Sequence, residues 1–346
     1  MKDLLETLKG NQPSSTPLWL MRQAGRYLPE YRELRAQKGG FLEMAFDPKA
    51  ACEVTMQPIR RFGMDGAIIF SDILTIPYAL GQGLEFAKGE GPKLPPISTK
   101  SEIEALGYDQ FDQKMQPVYD AITLTKQQLA AENFDHVTLL GFAGAPWTIA
   151  TYMIEGGGSK DYINVKTMAY AQPDLFQELI NLITEATSRY LINQIKAGAD
   201  VVKIFDSWAG VLDEDQFKKW AINPVKQIVQ AIKSEFPDVP VIGFPRGAGL
   251  NYPRYAQETG VDCCAFDSMI SLDWIAENLQ PICCVQGNLD PAILRAGGEC
   301  LEQNTKNILK KMAAKPFIFN LGHGINKETP PEHVAQLMRI VKEYKP

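Results

Sequence analysis

Two arginines four residues apart are the residues of this chain whose type and spacing most clearly suggest chemistry. Arg22 and Arg26 lie in the stretch LWLMRQAGRYLPEYR, directly after the short apolar run 17–21. Arginine stays protonated at working pH and binds carboxylates or phosphates through paired hydrogen bonds. The pattern therefore predicts a site for a polyanion. Two solvated surface arginines paired with Glu30 and Glu33 would give the same spacing.

Polar side chains also follow the other short apolar runs of the chain. Parallel α/β barrels place their chemistry at the carboxyl ends of their strands, so these positions are candidates for a shared site. Helix capping or a turn would equally account for Asp206 and Asp267, whereas His323 lies between two glycines that allow close approach of a ligand. The residues at these positions are Arg22, Ser71, Asp72, Gly144, Asp206, Ser207, Arg246, Asp267, Ser268, Gln286, Asn288, Asp290 and His323.

The block GFAGAPWTIATYMIEGGGSK, residues 141–160, combines several glycines with Phe142, Trp147 and Tyr152. Small residues between aromatic walls suit a flat, partly apolar ligand. Tight packing of a helix on a strand, followed by a flexible loop, would produce the same composition. The sequence leaves both interpretations open at this point.

Nucleotide and zinc motifs are absent from the sequence. It contains no GxGxxG, no GxxxxGK[ST], no HExxH, no CxxC and no His–Cys pair at ligand spacing. A dinucleotide, a nucleoside triphosphate or a catalytic zinc therefore has no motif to support it. We expect no metal ligand and no cofactor site.

Composition indicates an ordinary globular protein and limits its partners. The chain has 346 residues and a net charge of −6, from 41 acidic and 35 basic residues, which disfavours nucleic acid as a main partner. Residues 1–16 lack the apolar core of a signal peptide, and no apolar run reaches the roughly 20 residues needed to cross a bilayer. The six cysteines, several in apolar runs, suggest buried reduced thiols. We therefore expect a cytoplasmic protein that does not contact membranes.

Eight short apolar runs alternate with amphipathic segments, which predicts an α/β protein with one (β/α)8 TIM-barrel domain over residues 1–346. Its active-site cleft would lie at the carboxyl ends of the strands. A doubly wound open sheet is the alternative, and segment 78–135 is expected to pass over the carboxyl-end face. The expected strands are 18–21, 67–70, 137–142, 201–205, 239–244, 263–266, 282–285 and 317–321, and the clearest helices are 173–196, 216–236 and 331–344.

Long segments of the chain resemble one known family. MRQAGRYLPEYR and GFAGAPWTIATYMIEGGGSK are similar to the two signature segments of the uroporphyrinogen decarboxylase family, and IIFSDIL and NLGHGI match it as well. The resemblance covers essentially the whole chain. It implies a (β/α)8 barrel, a homodimer and no cofactor. It also implies a reaction that removes carbon dioxide from the four acetate side chains of uroporphyrinogen III, giving coproporphyrinogen III for haem and chlorophyll synthesis.

The resemblance also implies site residues, carried over by position. Those implied to be catalytic are Asp72, Arg22, Arg26, Tyr152 and His323. One departure is Trp208, where some members of the family have histidine. The residues implied to bind substrate are Arg22, Gln23, Ala24, Arg26, Phe70, Asp72, Phe142, Tyr152, Phe205, Ser207 and His323, of which Phe142 and Phe205 form an apolar wall.

These residue types fit the chemistry of such a reaction. A protonated pyrrole can accept the electron pair left when carbon dioxide departs, and an anion near the pyrrole nitrogens would stabilise that cation. Asp72 is the candidate anion, because an ionised carboxylate accepts several N–H hydrogen bonds. Arg22 and Arg26 would bind substrate carboxylates. The proton donor stays open, since His323 could donate a proton or bind a propionate.

Two other functions are compatible with parts of the pattern. A corrinoid- or cobalamin-independent methyltransferase has a related barrel, but such enzymes bind zinc through His and Cys, and the sequence has no His-x-Cys pattern. A tetrapyrrole carrier without catalysis would need the same cleft. The presence of Asp72 together with Arg22 and Arg26 favours an enzyme.

Overall fold

A computed structural model of the chain describes residues 2–87 and 91–345. The strands are β1 (Gly66–Ile68), β2 (Glu85–Ala87), β3 (Gly91–Lys93), β4 (Thr138–Gly144), β5 (Val201–Asp206), β6 (Val241–Pro245), β7 (Cys263–Ala265), β8 (Cys284–Leu289) and β9 (Phe317–Leu321). The helices are α1 (Asp3–Leu8), α2 (Pro29–Lys38), α3 (Phe41–Ala45), α4 (Pro48–Phe62), α5 (Thr75–Leu80), α6 (Lys100–Glu104), α7 (Phe111–Ala131), α8 (Pro146–Glu155), α9 (Ile163–Ala171), α10 (Pro173–Lys196), α11 (Glu214–Gln216), α12 (Asn223–Glu235), α13 (Tyr252–Thr259), α14 (Leu272–Asn278), α15 (Pro291–Ala296), α16 (Gly298–Met312) and α17 (Pro331–Glu343). Two 3₁₀ helices (Ala209–Val211 and Gly249–Asn251) and one π-helix (Phe217–Ile222) complete the assignment.

The α/β architecture expected from the sequence is present as a curled, parallel, seven-stranded sheet. Its strand order is β1-β4-β5-β6-β7-β8-β9, and every pairing in it is parallel. The strands are buried on both faces, as their continuous apolar runs predicted. Because all strands point the same way, their carboxyl ends form one rim. Hairpin β2–β3 is a separate antiparallel pair.

The first predicted strand is the exception. Residues 18–21 do not form a regular strand, and Leu18 makes only an isolated parallel bridge with Phe319 of β9. The next backbone N–H groups bond to side chains instead: Leu20 N–H to Oε1 of Gln23 (3.0 Å) and Met21 N–H to Oδ1 of Asn320 (3.1 Å). The chain turns at this point, so side-chain amides accept the N–H groups of Leu20 and Met21 in place of backbone carbonyls. The apolar pattern of the sequence could not show that side chains would accept these backbone hydrogen bonds.

The predicted helices agree closely with the structure. Helix α10 has the predicted bounds, and the other two predicted segments correspond to 214–235 and to α17. Helix α10 also orders β4, because Gln194 accepts the N–H of Phe142 (2.8 Å) and donates to its C=O (2.9 Å). A side chain at Gly141 would collide with Gln194. This close contact holds Phe142 on the inner face of the sheet.

Segment 78–135 is only in part the excursion that we expected. Its second half forms α7, which packs along α4 and α10 as an ordinary outer helix between β1 and β4. Its first half contains the hairpin together with Leu84 and Leu94, which form a small apolar cluster with Leu74, and Tyr152 packs against this cluster. Leu94 N–H bonds to Gly156 O (3.0 Å), so this half lies beside the end of α8.

All six cysteines are free thiols. Cys52, Cys263, Cys264 and Cys284 are buried as expected, and Cys283 is half-buried. The expectation was wrong for Cys300, which is exposed on the outer helix α16. Cys300 lies among polar residues in the stretch GGECLEQN, on the solvent face of this amphipathic helix.

A lysine is completely buried inside the curled sheet. The Nζ atom of Lys203 in β5 lies 4.9 Å, 4.8 Å and 5.0 Å from the ring centroids of Trp19, Phe205 and Phe244, and it has no hydrogen-bond partner in the described structure. Burial lowers the pKa of Lys203 to about 7. Cation–π contact with three rings offsets only part of the cost of burying an ammonium group.

We expect Lys203→Met to stabilise the fold by about 1–4 kcal/mol near neutral pH, because it removes an unpaired buried charge. The unfolded chain binds this proton more tightly than the folded chain, so wild-type stability should rise between pH 7 and pH 10.5 as the proton is lost. Urea unfolding across this pH range measures both effects. Lys310→Met on the exposed face of α16 is the control, and a Lys203→Met variant less stable than wild type would contradict the argument.

Candidate active site

Arg22 occupies a strained turn at the rim of the sheet. Its backbone has φ 61°, a left-handed conformation that costs a non-glycine residue about 1–2 kcal/mol. Gln23 attaches this turn to the sheet, since its Nε2 donates to Gly66 O at the start of β1 (2.9 Å). The side chain of Arg22 lies against Gly324, where an added Cβ would come within 2.5 Å of its Cδ. Strain of this kind is typical of functional sites.

Asp72 follows β1 and is half-buried. Its Oδ1 accepts the N–H of Leu74 (2.8 Å), and its backbone carbonyl oxygen accepts the hydroxyl of Thr75 (2.8 Å). Burial raises the pKa of Asp72 to about 6, and the Leu74 hydrogen bond and the nearby charge of Arg22 oppose that rise only in part. The remaining carboxylate oxygen has no partner among the described residues. It is therefore available to an N–H donor of a ligand.

His323 follows β9 and is half-buried. Burial, together with the charges of Arg22 and Arg246, lowers the pKa of His323 to about 4, so the imidazole is neutral at pH 7. Its Nδ1 accepts the N–H of Gly324 (2.7 Å), which assigns the ring proton to Nε2. His323 can thus offer one neutral N–H donor. A histidine in this state is not a cationic acid in the free protein.

Two groups of aromatic rings border the same rim. Phe142 and Phe205 pack edge to face with centroids 5.6 Å apart, as the expected apolar wall requires. Tyr152 of α8 stacks on Trp208 at 4.3 Å, and Tyr162 packs on the other side of Trp208 at 5.5 Å. Burial, followed by the charge of Asp72, raises the pKa of Tyr152 to about 12, so its hydroxyl stays protonated.

Asp206 serves neither as a helix cap nor as part of the open cleft. It is completely buried at the end of β5, where its Oδ1 accepts the hydroxyl of Thr148 (2.5 Å). Thr148 in turn accepts the N–H of Trp208 (3.3 Å), and Trp208 O accepts the indole N–H of Trp147 (3.0 Å). Burial raises the pKa of Asp206 to about 7. These contacts fix the turn that presents Ser207 and Trp208.

The alternative interpretation of Arg22 and Arg26 as partners of Glu30 and Glu33 does not hold. Glu30 instead pairs with Arg61 of α4 at 2.8 Å. Both Arg22 and Arg26 are exposed, and neither forms an ion pair with a described residue. Arg22 is close enough to influence the pKa values of Asp72, Tyr152 and His323. Arg26 influences the pKa of none of these three groups.

The other expected binding residues divide between the cleft and the core. Ser207 is half-buried beside Trp208, and its hydroxyl has no partner among the residues that the structure describes. Gln23 is completely buried, with its amide bonded to backbone groups, and Ala24 packs on the core. Phe70 is also buried, but its ring contacts are with Tyr31 (5.7 Å) and Phe41 (5.2 Å) of α2 and α3.

Sequence reasoning overlooked two contributors to this arrangement. Thr148 connects Asp206 with Trp208, and Asn320 holds the turn of Arg22 through Met21. Thr148 lies inside the glycine-rich block and Asn320 inside NLGHG, so only their positions in motif segments could have indicated them.

Within residues 2–87 and 91–345, no group of three or more His, Cys, Asp or Glu side chains is placed to hold a metal. Every helix of that same part is too short or too polar to cross a bilayer.

The fold and the rim together define an α/β protein in which arginines, a half-buried carboxylate and aromatic side chains follow the carboxyl ends of parallel strands, where enzymes of this architecture place their active sites. The family model for uroporphyrinogen decarboxylase (URO-D) matches residues 1–344. Uroporphyrinogen decarboxylases from Rhodospirillum rubrum and Erythrobacter litoralis are 49% and 51% identical, each over 341 residues covering 99% of this chain and 97% or 98% of the relative. The chain belongs to the uroporphyrinogen decarboxylase family.

Solved structures of lower identity share the fold. A methyltransferase from Methanosarcina mazei superposes with a TM-score of 0.81 at 18% identity, covering 99% of this chain and 97% of the other. A B12-independent methionine synthase from Shewanella sp. W3-18-1 gives a TM-score of 0.54 at 12% identity, covering 97% and 95%. At these identities the likeness concerns the fold alone.

The pKa of Asp72 leads to a prediction about pH. If the ionised carboxylate is the active form, kcat/KM should fall about tenfold per unit as the pH drops below about 6. Circular dichroism at each pH checks that the protein stays folded. The acid limb should be missing in Asp72→Asn, whose residual rate cannot depend on this group. An identical limb in that variant would assign the titration to another residue.

Proposed function

We propose that this chain is a uroporphyrinogen decarboxylase, in which the half-buried carboxylate of Asp72 is the central catalytic group. The chain removes carbon dioxide from the acetate side chains of uroporphyrinogen in tetrapyrrole biosynthesis. The substrate is uroporphyrinogen III, its four acetates become methyl groups, and the product coproporphyrinogen III serves haem or chlorophyll synthesis. The observation that supports the site most directly is the unpaired oxygen of Asp72, whose carboxylate lies within electrostatic reach of Arg22 and of Tyr152.

Asp72 would act on the pyrrole nitrogens. Protonation of a ring carbon makes the pyrrole a cationic electron sink, and loss of carbon dioxide leaves an exocyclic methylene. A second proton on that methylene gives the methyl group, and loss of the first proton from the ring carbon restores the neutral pyrrole, so each acetate consumes one proton. A carboxylate that accepts the pyrrole N–H bonds stabilises the cation most strongly where water is excluded. Partial burial of Asp72, which raises its pKa to about 6, favours such stabilisation. The substrate supplies its own electron sink, so the reaction needs no cofactor.

The other residues of the rim would bind and orient the substrate. Arg22 and Arg26 lack counter-ions among the described residues and would take substrate carboxylates through paired hydrogen bonds. Tyr152, Ser207 and the Nε2–H of His323 would donate neutral hydrogen bonds, since Tyr152 and His323 are both uncharged at pH 7. The macrocycle would rest on the apolar wall of Phe142 and Phe205.

Segment 18–21 would complete a single-domain (β/α)8 barrel over residues 1–346. Leu18 bridges Phe319 of β9 on one side, and on the other its C=O accepts the N–H of Asp65, immediately before β1 (2.9 Å). Gln23 bonds to Gly66 O on the same side. These contacts support the inference that segment 18–21 takes the position of the eighth strand, between the two edge strands of the seven-stranded sheet.

A homodimer would cover the apolar side chains beside the cleft. Leu250 and Met269 are 76% and 74% exposed in the loops after β6 and β7, and large exposed apolar side chains at one rim indicate an interaction surface.

The free thiols fit a reducing cytoplasm, where we place the enzyme. The net charge of −6 does not favour nucleic acid as a partner.

The activity itself is tested by anaerobic incubation with uroporphyrinogen III, followed by oxidation and separation of the products by carboxyl number. We expect porphyrins with seven, six, five and four carboxyl groups to appear in sequence. Asp72→Asn should lower kcat by roughly two orders of magnitude, the scale for losing a preorganised charge partner. Asp290→Asn, at a strand-end acid that caps α15, is the matched control. Normal turnover by folded Asp72→Asn would exclude Asp72 as the central anion.

The dimer proposal is tested by sedimentation equilibrium. Leu250→Asp combined with Met269→Asp should convert the dimer to monomer, because two charges would be buried without partners at the interface. Asn307→Asp, an exposed change on α16, should leave the mass unchanged. A monomeric wild-type protein at micromolar concentration would refute the proposal.

A further inference from the structure

Arg246 is held rigidly at the rim, between the loops that follow β5 and β6. Its N–H donates to Asp206 O (3.0 Å), and its C=O accepts the N–H of Gly210 (3.0 Å). Gly210 approaches Gly247 so closely that a Cβ at Gly210 would lie 2.4 Å from Gly247 O. The backbone of Arg246 therefore has one well-defined position relative to the cleft.

The side chain of Arg246 has no counter-ion in the part of the chain that the structure describes. It is half-buried, yet it forms no ion pair and donates no hydrogen bond to a described residue. The two acids of the neighbouring strand ends are already bonded elsewhere. Asp267 accepts from Gly247 N–H (2.6 Å), the Tyr252 hydroxyl (2.6 Å) and Met269 N–H (2.8 Å), whereas Asp206 is buried against Thr148. A half-buried arginine that has no acidic partner is stabilised when a ligand supplies an anion.

The charge of Arg246 reaches the cleft. Together with Arg22 it lowers the pKa of His323, and it also lowers that of Tyr162, although burial raises the latter overall. Tyr162 packs on Trp208, which stacks on Tyr152. Strands β7, β8 and β9 separate β6 from the segment that precedes Arg22. Arg246 and Arg22 thus act on the same histidine from different sides of the rim.

We propose that Arg246 is a further substrate-binding residue, whose guanidinium group binds a substrate carboxylate on the side of the cleft away from Arg22 and Arg26. The inference rests on the proposed function and extends it. A ligand with eight carboxylates around four pyrroles presents anions in every direction. Arginines on only one side of the cleft would therefore leave several of these carboxylates without a cationic partner. Asp72 follows β1 and Arg246 follows β6, so the carboxylate bound by Arg246 is remote from the reacting acetate.

The test compares Arg246→Ala with wild type in steady-state kinetics. The KM for uroporphyrinogen III should rise about ten- to a hundredfold, as expected for loss of a charge-assisted paired hydrogen bond, while kcat changes less than about threefold. Arg246→Lys keeps the charge without the planar pair of donors and should recover part of the loss. Arg339→Ala, on the exposed face of α17, makes the same change in net charge and should leave KM unchanged.

A second readout does not depend on turnover. The protein has three histidines, so NMR can follow His323, and its pKa should rise in Arg246→Ala and stay constant in Arg339→Ala. Anaerobic titration with coproporphyrinogen III should show weaker binding by Arg246→Ala even if the wild type does not decarboxylate, which separates this inference from the proposed function. Equal KM values and equal affinities for Arg246→Ala and Arg339→Ala would overturn it.

Discussion

The hydrogen bonds of Gln23 are the constraint on which the site depends. Its amide joins Leu20 N–H to Gly66 O and so attaches the turn of Arg22 to the start of β1, the strand that leads to Asp72. A strained φ at Arg22 persists because this buried amide and Asn320 determine the path of the backbone on both sides. The core residues Gln23 and Gly66 thereby fix the position of the cationic turn relative to β1, which leads into the loop that carries Asp72.

Burial then determines the protonation states of the cleft. Desolvation raises the pKa of Asp72 to about 6 and lowers that of His323 to about 4, so one group keeps an anion available near neutral pH and the other offers a neutral donor. Arg22, Arg26 and Arg246 form no ion pair with a described residue. Together these groups match a ligand that has N–H donors at its centre and carboxylates at its edge.

Much of the fold and of the candidate site could be predicted from the sequence. The periodicity located seven of the strands and the long helix α10, since buried parallel strands and amphipathic helices differ in pattern over their whole length. The motif segments indicated Asp72, Tyr152 and His323, which the structure places within electrostatic reach of Arg22. The first strand was wrong as a regular strand, because the N–H groups of Leu20 and Met21 bond to the side-chain amides of Gln23 and Asn320, and the apolar pattern does not encode such bonds.

The sequence by itself determined the order of the elements, the family and the set of polar residues at the strand ends, because these follow from local composition and motif spacing. The tertiary structure alone decided which of those residues meet. It turned Phe70 towards Tyr31 and Phe41, used Asp206 to support Trp208, and left Arg246 without an acid partner among the described residues. The physical reason is that burial and counter-ions are properties of distant segments brought together by folding, and they set the charge available for chemistry.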